Sequence, residues 1–165
     1  MDACLMRGLT FIKIWRYIMK RILPPVFLLL CVVAMILSQI YFPIARVVPW
    51  PIRSIALLPL VIGIGMAVLG KRQFAKEGTN LYTFSDPDKM IASGLYAYSR
   101  NPMYLGFVIA AFSVAVFAGG LGPLVIALIH CVVVDRWYIG FEERRMADRF
   151  GDSYDDYKSR VRRWL

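Results

Sequence analysis

The sequence predicts an all-α, polytopic integral membrane protein with about four transmembrane helices and a cytoplasmic C-terminal helical tail. Three observations carry that prediction. The chain, 165 residues and about one domain long, is 59% hydrophobic with a mean hydropathy of +0.57. Its apolar residues come in charge-free blocks at 22–42, 54–70 and 103–134. Its basic residues are uneven: eighteen of the twenty Lys and Arg share one side of the membrane if both termini are cytoplasmic. That is the positive-inside arrangement, and it accounts for the net charge of +9 without nucleic acid. It also suits a bacterial inner membrane.

Residues 8–21, GLTFIKIWRYIMKR, mix bulky apolar and basic side chains and read as an interfacial segment. The first block has the length of one crossing. No small-x-small cleavage site follows it, so it is expected to stay as a span rather than leave as a signal peptide. The second block gives a span at 54–70. The third, at 32 residues, is too long for a single crossing. GGLGP (119–123) breaks it, giving helices over 102–118 and 122–139 joined as a hairpin. Tyr41, Phe42 and Trp50 fit the opposite interface as aromatic anchors. In the tail, 140–165, Gly151 separates two helices, and Tyr154, Tyr157 and Val161 share a face of the second. All of this is expected to form a single membrane domain over 1–165.

A hairpin brings its two ends together, so Arg100 is expected to meet the Glu142/Glu143 pair on the cytoplasmic side. In SRNPMYLGF (99–107), Pro102 suits the first helical position and Asn101 or Ser99 can cap. Tyr96, Tyr98 and Tyr104, with Gly94 and Gly106, are more than a cap requires. On the other arm, Cys131, Asp135, Tyr138 and Glu142 are spaced by 4, 3 and 4 and are expected to share one helical face. One of Glu142 and Glu143 should point inward, since a charge near a span is costly without a cavity or partner. Asp135 either belongs to this site or pairs with nearby arginines. His130, the lone histidine, and the three cysteines read as packing residues, and no disulfide or metal spacing is visible. Arg162 and Arg163 read as a solvated, lipid-attracted basic run. No GxGxxG, Walker loop, HExxH, CxxC pair or GxSxG occurs.

The two arms together, GLYAYSRNPMYLGF and EERRMADRFGDSYDDYKSRV, resemble the isoprenylcysteine carboxyl methyltransferase family, related to the membrane phospholipid N-methyltransferases. The family pattern is roughly G-x-Y-x-x-x-R-H-P-x-Y-x-G, a hairpin, then E-E-x-x-L-x-x-x-F-G-x-x-Y-x-x-Y. The resemblance covers about 94–161, more weakly from GTNLYTF (78–84). It implies an enzyme using S-adenosylmethionine in a cytoplasm-facing pocket. The implied acceptor is lipophilic or lipid-linked: a prenyl-cysteine carboxylate, a phospholipid amine or a small thiol.

On this chain the resemblance places Tyr96, Arg100, Pro102, Tyr104 and Gly106 on the first motif. Glu142, Glu143, Phe150, Gly151, Tyr154 and Tyr157 fall on the second. The expected cofactor-binding set is Tyr96, Tyr98, Asn101, Pro102, Tyr104, Gly106, Glu142 and Glu143. Arg100 and Arg160 are expected near the reacting groups, Arg160 at a basic position associated with substrate. For an amine or thiol acceptor Asp135 or one of the two glutamates is the candidate base, and Tyr154 and Tyr157 are expected on the acceptor side. Two positions depart from the pattern: Asn101 replaces histidine and Met146 replaces leucine. Asparagine donates and accepts hydrogen bonds but is no base near neutral pH. Two other readings of the same scaffold are a non-catalytic interaction protein and an NADPH-dependent membrane reductase.

Overall fold

The structure, a computed structural model, describes residues 22–78 and 89–165. The interfacial segment 8–21, Cys4 and most of GTNLYTF lie outside the described residues. The described residues form helices and one isolated antiparallel bridge, Arg46 with Gly120, so the chain is all-α as the sequence indicates.

Helix α1, Pro24–Tyr41, begins on two prolines, which cost nothing where a backbone N–H has no helical partner anyway. A short helix α2, Trp50–Ile55, runs almost directly into α3, Leu57–Lys76. The break between them follows from Pro59, which cannot donate to the Ile55 carbonyl four residues back. The apolar block at 54–70 thus understates the helix, which continues through KRQFAK because backbone hydrogen bonding is indifferent to where the charge-free run ends.

A short 3₁₀ turn, Gly94–Ala97, leads into α4, Pro102–Ala118. Gly119, at φ 76°, ends that helix in the left-handed conformation that favours glycine. Helix α5, Leu121–Val133, follows at once. It runs on past 139, the expected end of the apolar span. It passes through a π-helical segment, Val134–Ile139, into α6, Gly140–Phe150, as one continuous rod. Gly151, at φ 49°, then turns the chain into α7, Asp152–Arg160.

Pro24–Tyr41, Trp50–Lys76 and Leu121–Phe150 are long and apolar enough to cross a bilayer, and Pro102–Ala118 is a shorter apolar helix. Large aliphatic side chains such as Leu29, Ile40, Leu58, Val61 and Leu128 point outward. That surface suits lipid, not water. Inside, small residues let the helices approach. Met35, Ala111, Ala115 and Ala127 form one core cluster between α1, α4 and α5. Helices α3 and α4 meet backbone to backbone: a Cβ on Gly63 would sit 2.6 Å from the Gly106 carbonyl oxygen.

At the hairpin end, the loop after α1 is tied to the turn by Val47 N–H to Gly119 O (2.9 Å) and Leu121 N–H to Ala45 O (3.0 Å). His130 is fully buried and stacks on Phe27 at 5.3 Å, with neither ring nitrogen hydrogen-bonded.

Candidate functional site

The start of α4, the π segment, α6 and α7 converge at the end opposite the hairpin turn. There the two adjacent glutamates part company. Glu143 meets Arg100 Nη2 at 2.9 Å and also pairs with the guanidinium of Arg163. Arg163 reaches on to Asp135 at 3.2 Å, and Trp164 Nε1 donates to the same Asp135 oxygen at 3.0 Å. The result is an alternating chain of two arginines and two carboxylates. The hydrogen bond to Glu143 is the main reason the Arg163 pKa rises further above its usual value.

Glu142 turns the other way, and Tyr104 Oη donates to it at 2.7 Å. With Tyr96, Asn101, Tyr104, Gly106, Arg145 and Lys71 it lines a cavity of about 700 Å³. The other walls are largely apolar, from Pro24, Pro25 and Leu28 on α1, Ile64 and Val68 on α3, and Phe107 on α4. The cavity is polar at one end and greasy along its length. Tyr96 is buried, packs edge-on against Phe74 at 5.3 Å, and has its hydroxyl pKa raised by burial and then by the Glu142 charge.

Of the residues singled out in the sequence, Tyr96, Asn101, Tyr104, Gly106 and Glu142 come together on the cavity wall. Arg100 and Glu143 meet behind that wall, as the hairpin requires. The others are placed differently. Pro102 is buried at the first turn of α4. Tyr98 is 77% exposed and faces away. Arg160 is exposed and pairs at 2.6 Å with Asp156, one turn earlier on its own helix, because the helical period sets it off the Tyr154/Tyr157 face.

Tyr154 and Tyr157 are both buried, but neither lines the cavity. Tyr157 Oη donates at 2.6 Å to the Tyr96 carbonyl and so anchors α7 to the 3₁₀ turn. Burial pushes both phenol pKa values up to about 12, so these groups stay protonated donors. Asp135 does not share the Glu142 face. The π segment has wider turns than an α-helix, and this breaks the 4-3-4 register between them. The expected Asn101 or Ser99 side-chain cap is also absent. Asn101 occupies the capping position, but its side chain donates to the Arg163 carbonyl at 3.1 Å.

Arg163 and Trp164 are the members of this ion-paired network that sequence reasoning missed. Spacing alone gives Arg163 no distinction within RVRRWL, and the indole beside it was the one available hint of an inward-facing end. Among the described residues no three His, Cys, Asp or Glu side chains gather to hold a metal, and Cys31 and Cys131 are unpaired.

Residues 52–153 match the phospholipid methyltransferase family, from α2 to the first turn of α7. This is more than half of the chain. The chain belongs to the phospholipid methyltransferase family. Within that match lie the Gly63–Gly106 crossing, the cavity-lining tyrosines and both glutamates, whereas Tyr154, Arg160 and Arg163 fall beyond it.

Methanethiol S-methyltransferase 1 of Bradyrhizobium diazoefficiens is 38% identical over 69 residues, 41% of this chain and 22% of that protein. Protein-S-isoprenylcysteine O-methyltransferase of Schizosaccharomyces pombe is 35% identical over 75 residues, 44% of this chain and 30% of that protein. An uncharacterised Haemophilus influenzae protein is 32% identical over 63 residues, 38% of this chain and its own whole length. The chain thus covers less than a third of either named relative. No solved structure matches it.

Proposed function

We propose that this chain is an S-adenosylmethionine-dependent membrane methyltransferase acting on a lipophilic acceptor. The observation that carries this reading is the cavity of about 700 Å³, with Glu142, Tyr104, Tyr96 and Asn101 at one end and aliphatic walls along the rest. Its volume falls within the usual range for small-molecule sites. The donor set fits the ligand. A carboxylate held by Tyr104 suits an ammonium group or ribose hydroxyls, and an aromatic face attracts a cation. When bound, the cofactor supplies a methyl group on a cationic sulfonium. The residues of this chain orient the reactants and exclude water, and in a displacement reaction such positioning provides much of the rate.

Asn101 supplies no base. Asp135 and Glu143 are both occupied in ion pairs. With Glu142 taken up by the methyl donor in this reading, these features favour an acceptor that is already ionised, such as a carboxylate. The printed activities of the two named relatives, on a thiol and on isoprenylcysteine, share an acceptor of apolar character, in keeping with the cavity walls.

Calorimetry with S-adenosylhomocysteine tests the proposal. The detergent-purified chain is expected to bind it, Glu142→Ala to lose at least tenfold in affinity, and Arg160→Ala to bind like the wild type. A folded wild type that does not bind would overturn the reading.

A further inference from the structure

Beyond α7 the chain becomes extended, with Val161 at φ −120° and ψ 129°, and residues 161–164 run back across the start of α4 as a strap. Three consecutive residues face two consecutive carbonyls of that strap. The Arg100 backbone N–H donates to Arg162 O at 3.0 Å. Asn101 Nδ2 donates to Arg163 O at 3.1 Å, and the Ser99 hydroxyl points at the same oxygen at 3.4 Å. Ser99 and Asn101 are both buried, so these bonds form away from water. On its other side the strap sends the Arg163 guanidinium to Glu143 and Asp135, and the Trp164 indole N–H to Asp135. One short stretch therefore ties α4, the π segment and α6 together.

Resting on the methyl-donor reading of the cavity, we infer that Asn101 and Arg163 are positioning residues: Asn101 docks the strap, and the docked Arg163 holds Glu143 so that Glu142 keeps its place on the cavity wall. Position 101 faces a carbonyl oxygen, so it needs an N–H donor and has no use for a base. Aspartate there would set acceptor against acceptor, whereas histidine would again offer an N–H. Glu142 and Glu143 are neighbours on the first turn of α6. Pulling Glu143 onto Arg100 and Arg163 fixes the rotation of that turn and, with it, the direction of Glu142. Arg163 itself lies off the cavity wall, so any effect it has on a ligand passes through the strap.

The test uses the full chain in detergent, with hydrogen exchange at the Arg100 amide and calorimetry with S-adenosylhomocysteine. In Asn101→Asp the Arg100 amide should exchange at least tenfold faster while the amides of Ala110 and Ala111 keep their protection, showing that the fold is intact. Asn101→His should restore slow exchange. Arg163→Gln should raise the dissociation constant of S-adenosylhomocysteine about tenfold, and Arg163→Lys should recover part of that loss.

Undiminished protection in Asn101→Asp, or equal damage from Asn101→His, would overturn the docking role of Asn101. Unchanged affinity in Arg163→Gln would overturn the link from the strap to Glu142. If the wild type binds no S-adenosylhomocysteine while the exchange results follow expectation, the donor-site reading falls and the docking of the strap stands.

Discussion

Glu142 and Glu143 show how one peptide bond separates two environments, a cavity wall and an ion-paired network. Glu143 lies between the guanidinium groups of Arg100 and Arg163, and its own side chain and that of Arg100 are mostly buried. Replacing it with glutamine leaves two partly buried cations short of their counter-charge. Glu143→Gln should therefore lower stability by on the order of 1–3 kcal/mol, read as a drop in melting temperature in detergent. Tyr157 makes a different kind of contribution, through a buried phenol donating to the Tyr96 carbonyl. Its pKa rises to about 12 in the folded chain through burial, against 10.0 for the ordinary phenol. A raised value means that the folded state binds its proton more tightly. The stability it contributes is complete below pH 10 and drains away as pH climbs through about 12. Tyr157→Phe should be less stable near neutral pH by about 1 kcal/mol and should show a shallower loss of melting temperature over the alkaline range. Identical alkaline slopes would remove Tyr157 from that account.

At the scale of helices, the junction of α3 and α4 depends on two glycines. Gly63 and Gly106 meet backbone to backbone, and a Cβ on either would press into the carbonyl oxygen of the other. Because the obstacle is backbone, Gly106→Ala forces the helices apart. It should cost about 1–3 kcal/mol, measurable as a lower melting temperature, and Gly63→Ala should act in the same direction. Gly106 also lines the cavity, so loss of cofactor affinity in this variant would report helix separation together with any contact. The sequence marked Gly106 as a cofactor residue through its place in the motif. Its partner Gly63 went unread, because nothing in an apolar helix announces which small residue will meet another helix.

Across the whole molecule, the readable features were those set by local composition. The apolar blocks located the helices, GGLGP placed the hairpin turn, and the hairpin required Arg100 to meet the acidic pair, as it does at 2.9 Å. The unreadable features depend on long-range return of the chain. Arg163 lies 20 residues from Glu143 and 28 from Asp135, and no periodicity links such separations. The positive-inside distribution makes a further prediction: a reporter fused after Leu165 should give a cytoplasmic signal, and an external one would reverse the orientation. The π segment carries one last consequence. Each residue of an α-helix advances about 100° around its axis, so the number of residues between α5 and α6 sets the compass bearing of everything downstream. Arg136, within that segment, has an 84% exposed side chain, and Arg136→Ala should be nearly silent. Deleting Arg136 should instead swing Glu142 off the cavity and abolish S-adenosylhomocysteine binding, visible in the same calorimetric titration. The segment's length, more than its composition, is then what this helix has to preserve.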